Sequence, residues 1–419
     1  MPTVDDPTLI RCADRERLSA ALADSRAGTL RTFAALEEAL RASHLQIPYS
    51  PEVNPPLWEL GHVGWFQEYW IGRNPQRQRG TTADPDAPRA APKLADADAL
   101  YDSSRVEHST RWHLPLPHAG PTRDYLSRTL EQTLRILAQA DGDAHGLLYF
   151  AWLALMHEDM HHEAAIYMAD ALGLHLEAVP PTEATTIDPG QAPELAFDAT
   201  HFRLGSVNGD FAFDNELEPR WVDVQPFRID RAPVDNRAFA AFIDAGGYQD
   251  QHLWTAQGWD WRQRQDARWP RFWRPAASGW QQRRFGRWIT LDETDPVTHV
   301  TLHESQAWCR WAGRRLPTEL EWEVAAVTVP VAPAAAPIRF GQVWEWTAST
   351  FEPYPGFAPH PYRDYSSPWF GSRQVLRGGS FATHPRLRHP RYRNFFCPER
   401  NDIFAGFRSA VAQAAGSTT

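Results

Sequence analysis

Apolar residues recur at helical spacing from residue 14 to residue 172, and the recurrence predicts four helices. Leu18, Ala21, Leu22, Leu30, Phe33, Leu36 and Leu40 share a face of a helix over 14–43. A second is expected to start after Asn54-Pro55-Pro56, because proline suits a first helical turn, and to run to about Ile71. His62, Trp65, Phe66 and Tyr69 lie together on it. Tyr125, Leu126, Leu130, Leu134 and Leu137 stripe a third helix over 122–140, and a fourth over 143–172 carries His157 and His161. Four such helices predict an antiparallel bundle, an architecture that assembles metal sites from facing helices. Residues 74–98, rich in proline and charge, are expected to form a long exposed loop.

Beyond a Pro-rich linker over 177–196 the pattern breaks into short strand-like pieces, glycine turns and tryptophans. Two helices stand out there, His303–Ala312 and Thr318–Ala326. The fold class is therefore multidomain, α followed by α+β, with a bundle over 1–176 and an irregular α+β domain over 197–412. Most of the 19 tryptophans fall in the second part, where large rings fill space between short elements. A net charge of −10 argues against a nucleic-acid partner. Cys12, Cys309 and Cys397 are too scattered for a disulfide framework. With no secretory signal and no apolar run of membrane-spanning length, a cytoplasmic location is expected and no membrane association.

The chemistry concentrates in Met156-His-Glu-Asp-Met-His-His-Glu. His157 and His161, four residues apart, share a helical face and can grip one ion. With Glu158 they spell H-E-x-x-H, the zinc peptidase pattern in which the glutamate is a general base. With a third histidine from elsewhere they suit an iron that uses O2. After Glu163 the helix continues through Ala-Ala-Ile-Tyr without the further histidine of the peptidases, which weakens that reading. His62, flanked by Gly61 and Gly64, is the best third ligand. Three imidazoles would leave Fe(II) with open positions for substrate and O2. Glu163 lies about 240° round the helix from His157, on the wrong face for a ligand.

Seven motifs follow in order in the second half. They are Phe202-Arg-Leu-Gly-Ser, Phe213-Asp-Asn-Glu, Val234-Asp-Asn-Arg-Ala-Phe, Arg314-Arg-Leu-Pro-Thr-Glu-Leu-Glu-Trp-Glu, Val343-Trp-Glu-Trp-Thr, Leu376-Arg-Gly-Gly-Ser-Phe and Gly406-Phe-Arg-Ser-Ala. Together they resemble the formylglycine-generating enzymes (sulfatase-modifying factors), which implies their C-type-lectin-like irregular α+β fold. Phe381-Ala-Thr-His-Pro-Arg-Leu-Arg lacks the cysteine pair of that family's oxidases, so sulfatase-type cysteine oxidation is excluded. A DinB-like three-histidine bundle before such a domain resembles the ergothioneine sulfoxide synthases and their relatives. Asn54-Pro-Pro-Leu-Trp-Glu-Leu-Gly-His, Leu100-Tyr-Asp-Ser-Ser-Arg and Asn401-Asp-Ile-Phe-Ala-Gly-Phe-Arg look most like the selenoneine synthase branch.

The resemblance implies Fe(II) on His62, His157 and His161, O2 as co-substrate, and hercynine as the acceptor of sulfur or selenium. It makes Glu158 an accident of spelling. It places hercynine against Asn394 and Phe395 within Arg391-Tyr-Arg-Asn-Phe-Phe, where aromatic faces can attract a trimethylammonium group. Met160 and Phe396 stand where the γ-glutamylcysteine-using branch has polar residues, which suits a different donor, such as a selenosugar in place of a thiol. Arg400 is a candidate donor-binding cation, and Tyr362 and Tyr365 are candidates for a tyrosine near the iron.

Overall fold

The computed structural model describes residues 4–140, 145–176, 194–207, 209–328 and 338–412. Helix α1 (Arg15–Ala39) starts at Asp14, whose carboxylate accepts from the backbone N–H of Arg17. Helix α2 (Pro56–Gln67) has its proline in the first turn and continues as a π-turn, Glu68–Gly72. A short helix α3 (Ala97–Tyr101) precedes α4 (Ala119–Ala138) and α5 (His145–Ala171). Helices α1, α2, α4 and α5 form the expected bundle around Leu22, Phe66, Leu126 and Leu155. Gly61 and Gly64 let α2 pack closely. A Cβ on Gly61 would sit 2.2 Å from the Tyr101 ring, and one on Gly64 would sit 2.8 Å from Leu126.

Residues 74–98 form the long, largely exposed loop expected, held down at a few buried points. A 3-10 turn, Arg77–Thr82, packs on α5, with Gly80 against Gly146 and with Asn74, Ala83 and Ala87 buried. Arg73 anchors the far end of this segment through Asp98 (2.7 Å). Most of the charged side chains of the segment stay exposed.

Most of the predicted linker lies outside the described residues, but its last three belong to a strand, β1 (Glu194–Phe197). The domain continues with β2 (Thr200–Leu204), β3 (Arg220–Val224) and β4 (Phe227–Asp230), then α6 (Asn236–Asp244) and α7 (Ala256–Arg264). Both helices are additional to the two expected, and each starts at a side-chain cap, Asp235 or Thr255. Then come β5 (Trp273–Ala276), β6 (Gly279–Arg284) and β7 (Arg287–Thr290). The expected pair of helices is α8 (Leu302–Trp311) and α9 (Glu319–Val327), each opened by a Thr/Glu capping box, with β8 (Arg314–Arg315) between. The last strands are β9 (Trp344–Thr350), β10 (Gln374–Arg377), β11 (Asn394–Phe396), β12 (Ala405–Phe407) and β13 (Ala410–Val411). They assemble into sheets of order β1-β4-β13-β8 and β11-β10-β9-β12, a β2-β3 pair and a β5-β6-β7 meander.

Helix α5 joins the two halves. Asp159, Glu163 and Asp170, at i, i+4 and i+11, form a buried acidic strip that meets the C-terminal domain. Asp159 pairs with Arg386 (2.9 Å), and Glu163 accepts from Trp344 Nε1 (2.8 Å) and Ser380 Oγ (2.6 Å). Asp170 pairs with His299 (3.2 Å). No helix among the described residues is long and apolar enough to cross a membrane.

Candidate metal centre

The helical face of α5 that carries His157 and His161 meets α2 at His62, and one ring nitrogen from each of the three lies within 4.8 Å of the others. His62 Nε2 and His157 Nε2 are 3.2 Å apart. Two ligands at right angles on one ion, each at about 2.1 Å, would be roughly 3 Å apart, so this spacing suits a shared metal. His62 Nδ1 donates to the carbonyl of Tyr101 (2.8 Å), and His161 Nδ1 donates to Glu59. These bonds make Nδ1 the donor on both rings and turn Nε2 toward the common centre. Burial, followed by the charge of His161, brings His62 down to about 3. Burial also holds His157 well below the ordinary range, with His161 and His62 adding to it. Two of the three rings are thus neutral near pH 7, as ligation requires. The donor set fits a divalent transition metal.

Contacts behind the ligands link them into a loop. Burial would raise Glu59, but His161 and Asn54 bring it down to about 2. Asn54 donates to Glu59 (2.5 Å) and accepts from Arg111 (2.8 Å). Arg111 lies over the Trp58 ring at 3.8 Å, and Trp58 stacks on His62 at 4.7 Å. Phe66 stacks on His157 at 3.5 Å. Glu59 has a partial signal in the sequence, one helical turn before His62. The Tyr101 carbonyl has none, since any residue can supply a carbonyl.

The remaining residues of the histidine motif face elsewhere. Glu158 forms a two-point pair with buried Arg26 (2.7 and 3.0 Å), so it cannot act as the base of a peptidase. His162 bonds Thr32 (2.7 Å), and Glu163 belongs to the domain joint.

A cavity of about 170 Å³ opens beside His161, walled by Met160, Tyr167, Trp344, Tyr392, Asn394 and Phe396. Strand alternation decides which residues of β11 reach it. Asn394 and Phe396 share one face, whereas Phe395 turns to the other and stacks on Phe351 at 4.0 Å. This departs from the expected pairing of Asn394 with Phe395. Met160 sulfur accepts from the hydroxyl of Tyr392 (3.2 Å), which in turn accepts from Tyr365 (3.2 Å). Tyr392 was not singled out in the sequence. Tyr365 also stacks on Phe213 at 4.5 Å. The Tyr362 ring lies 6.3 Å from that of His157.

Arg400 is not the free cation expected. Asp402 binds it at two points (2.5 and 2.7 Å), and it lies over Phe396 at 5.0 Å. A wider cleft of about 880 Å³, lined by Trp261, Arg271, Arg400 and Asn401, reaches Arg400 from the other side. It contains none of the three histidines, so size alone does not mark the reactive site.

Residues 191–329 and 339–413 match the sulfatase-modifying factor enzyme 1-like domain. A protein of Mycolicibacterium smegmatis named hercynine oxygenase is 33% identical over 448 residues, covering 94% of this chain and 99% of its own. The hercynine oxygenase of Mycobacterium tuberculosis is 34% identical, covering 94% and 98%. A formylglycine-generating enzyme of Thermomonospora curvata is 32% identical over 277 residues but covers only 50% of this chain. The likeness to the hercynine oxygenases therefore spans the bundle as well as the C-terminal domain. The selenoneine branch expected from the sequence is narrower than these comparisons reach. The chain belongs to the hercynine oxygenase family and carries a sulfatase-modifying factor enzyme 1-like domain in its C-terminal half.

Proposed function

We propose that this protein is an O2-dependent Fe(II) enzyme that joins a chalcogen to C2 of the hercynine imidazole. The observation that carries the reading is the convergence of His62, His157 and His161 beside the Met160–Asn394 cavity. Fe(II), when bound there, supplies open coordination positions and the electrons that activate O2. Tyr101 and Glu59 orient the imidazoles that hold it. Asn394 offers hydrogen bonds to the hercynine carboxylate, and the faces of Phe396 and Tyr392 offer cation–π attraction to the trimethylammonium. Tyr362 holds its phenolic proton, since burial raises it above the ordinary range, and its ring, 6.3 Å from that of His157, makes it our candidate proton donor.

The likeness to proteins named hercynine oxygenase supports an oxygen-dependent reaction on hercynine, which we read as ergothioneine-type with cysteine or γ-glutamylcysteine as donor. A second reading, with a selenosugar donor, is supported by the apolar Met160 and Phe396 in the cavity wall. The test is a competition with Fe(II), O2 and hercynine in which cysteine, γ-glutamylcysteine and a selenosugar are offered together. Product masses and the selenium isotope pattern separate the two readings. No hercynine-derived product with any donor would defeat both.

A further inference from the structure

Of the three ligand rings, one keeps an open flank. Trp58 stacks on His62 and Phe66 on His157, and both of these histidines are buried, whereas the His161 side chain retains 21% exposure. His161 also lines two cavities. One is the Met160–Asn394 pocket; the other, of about 30 Å³, lies inside the bundle, and His161 is the only residue common to both linings. Phe33 and Leu36 of α1, Leu60 and Val63 of α2, and Ala165 and Met168 of α5 make the apolar wall of the smaller one. With hercynine in the larger pocket, the bundle cavity is the side of His161 that stays free.

Size and polarity say what this cavity accepts. One water takes roughly 10–15 Å³ of such space, so there is room for a molecule of about two heavy atoms and for neither hercynine nor a thiol donor. A water would also need at least two polar partners. Thr32 Oγ1 and His162 Nε2, both in the wall, already bond each other (2.7 Å). Glu59 accepts from Asn54 on one carboxylate oxygen (2.5 Å) and from His161 on the other. Thr29 Oγ1 is the one side-chain atom of the wall that is buried without a partner. An apolar gas needs no such partner, and its transfer from water to an apolar wall is favourable.

We propose that this bundle cavity binds O2 and passes it along the His161 ring, on the flank that hercynine leaves free. The inference rests on the function proposed above. Xenon, an apolar gas that enters such cavities, is the probe, followed by methyl NMR of the metal-free full chain under xenon pressure. Saturable shifts are expected at the methyls of Leu36, Leu60 and Val63. Leu36→Phe, which fills the cavity from α1, should abolish the shifts at Leu60 and Val63 and raise the KM for O2 at least fivefold. The hercynine Kd, the Co(II) affinity and kcat at saturating O2 should stay within twofold. Ala165→Leu fills the same space from α5 and takes the place of Leu36→Phe if that variant does not fold. Thr29→Val keeps the space and removes the unpaired hydroxyl, so xenon should bind at least as tightly and the melting temperature should not fall. No xenon shifts in the unmodified protein, or an unchanged KM for O2 in a folded, filled variant, overturns the proposal. A lower melting temperature in Thr29→Val would mean that the hydroxyl holds a water there, and overturns it as well. Xenon binding without any hercynine-derived product would instead remove the underlying function.

Discussion

The bundle and the C-terminal domain both bury polar side chains, but they leave different valences open. In the bundle, His62 and His161 each use Nδ1 on an internal acceptor and turn Nε2 toward a common centre with His157. In the C-terminal domain, buried Arg377, Arg393 and Arg408 each end on a carboxylate, that of Glu323, Glu319 or Glu345. The first arrangement is unfinished and can take a ligand, while the second is closed and can only hold shape. A buried polar cluster therefore points to function when its members share an unfilled direction, not merely when they are buried.

His62→Ala should break the comparison most sharply. Metal binding, followed by Co(II) titration, is expected to weaken more than 100-fold and product formation to vanish, with only a small change in the melting temperature of the metal-free protein. Native stoichiometry in this variant would place the third ligand elsewhere.

Arg377→Met is the converse test. It takes from buried Glu323 the nearer of its two cations and leaves Arg391 at 3.9 Å, at a cost of about 3 kcal/mol in chemical denaturation, while the folded fraction keeps its metal affinity. Adding Glu323→Leu should recover most of the loss. A metal affinity that fell in step with stability would mean the two regions are not separable.

Glu304 sharpens the comparison because it is a buried acid bonded to Tyr248 (2.5 Å) and the Thr301 N–H (2.7 Å), with no cation among those partners. Burial pushes it up from 4.5 to about 7. Between those values the folded state binds the extra proton, so stability should fall as pH rises through this window, by on the order of 3 kcal/mol. Glu304→Gln should flatten the profile of melting temperature against pH between 4.5 and 7.

The smallest expected effect is that of Glu59→Gln, which keeps an acceptor for His161 but removes its charge. A loss of about 10–100-fold in metal affinity is expected, with an unchanged fold by circular dichroism. An affinity equal to that of the unmodified protein would mean that the loop through Asn54, Arg111 and Trp58 orients the ligands without Glu59.

Legibility in the sequence followed the range of the interactions. The bundle helices and the His157/His161 pair were visible because helical periodicity is local. Helices α6 and α7 were visible in principle through Asp235 and Thr255, but short helices among tryptophans give little periodic signal. Phe395 was misplaced because β11 has only three residues, too few for alternation to declare its inner face. The exposed loop over 74–98 is legible from its prolines and charges, while its anchor points, such as Asp98 on Arg73 and Gly80 against Gly146, are chosen in three dimensions.

By itself the sequence determined which residues share a face: His157 with His161 toward one side of α5, and Asp159, Glu163 and Asp170 toward another. That follows from 100° per residue and needs no partner. What each face meets was decided only by tertiary structure. His62 comes from 95 residues away to complete the metal set, and Ser380 from 217 residues away to receive Glu163. Contacts at such separations are selected by the packing of whole elements, and packing also chose Asn394 and Phe396, rather than Phe395, for the pocket wall.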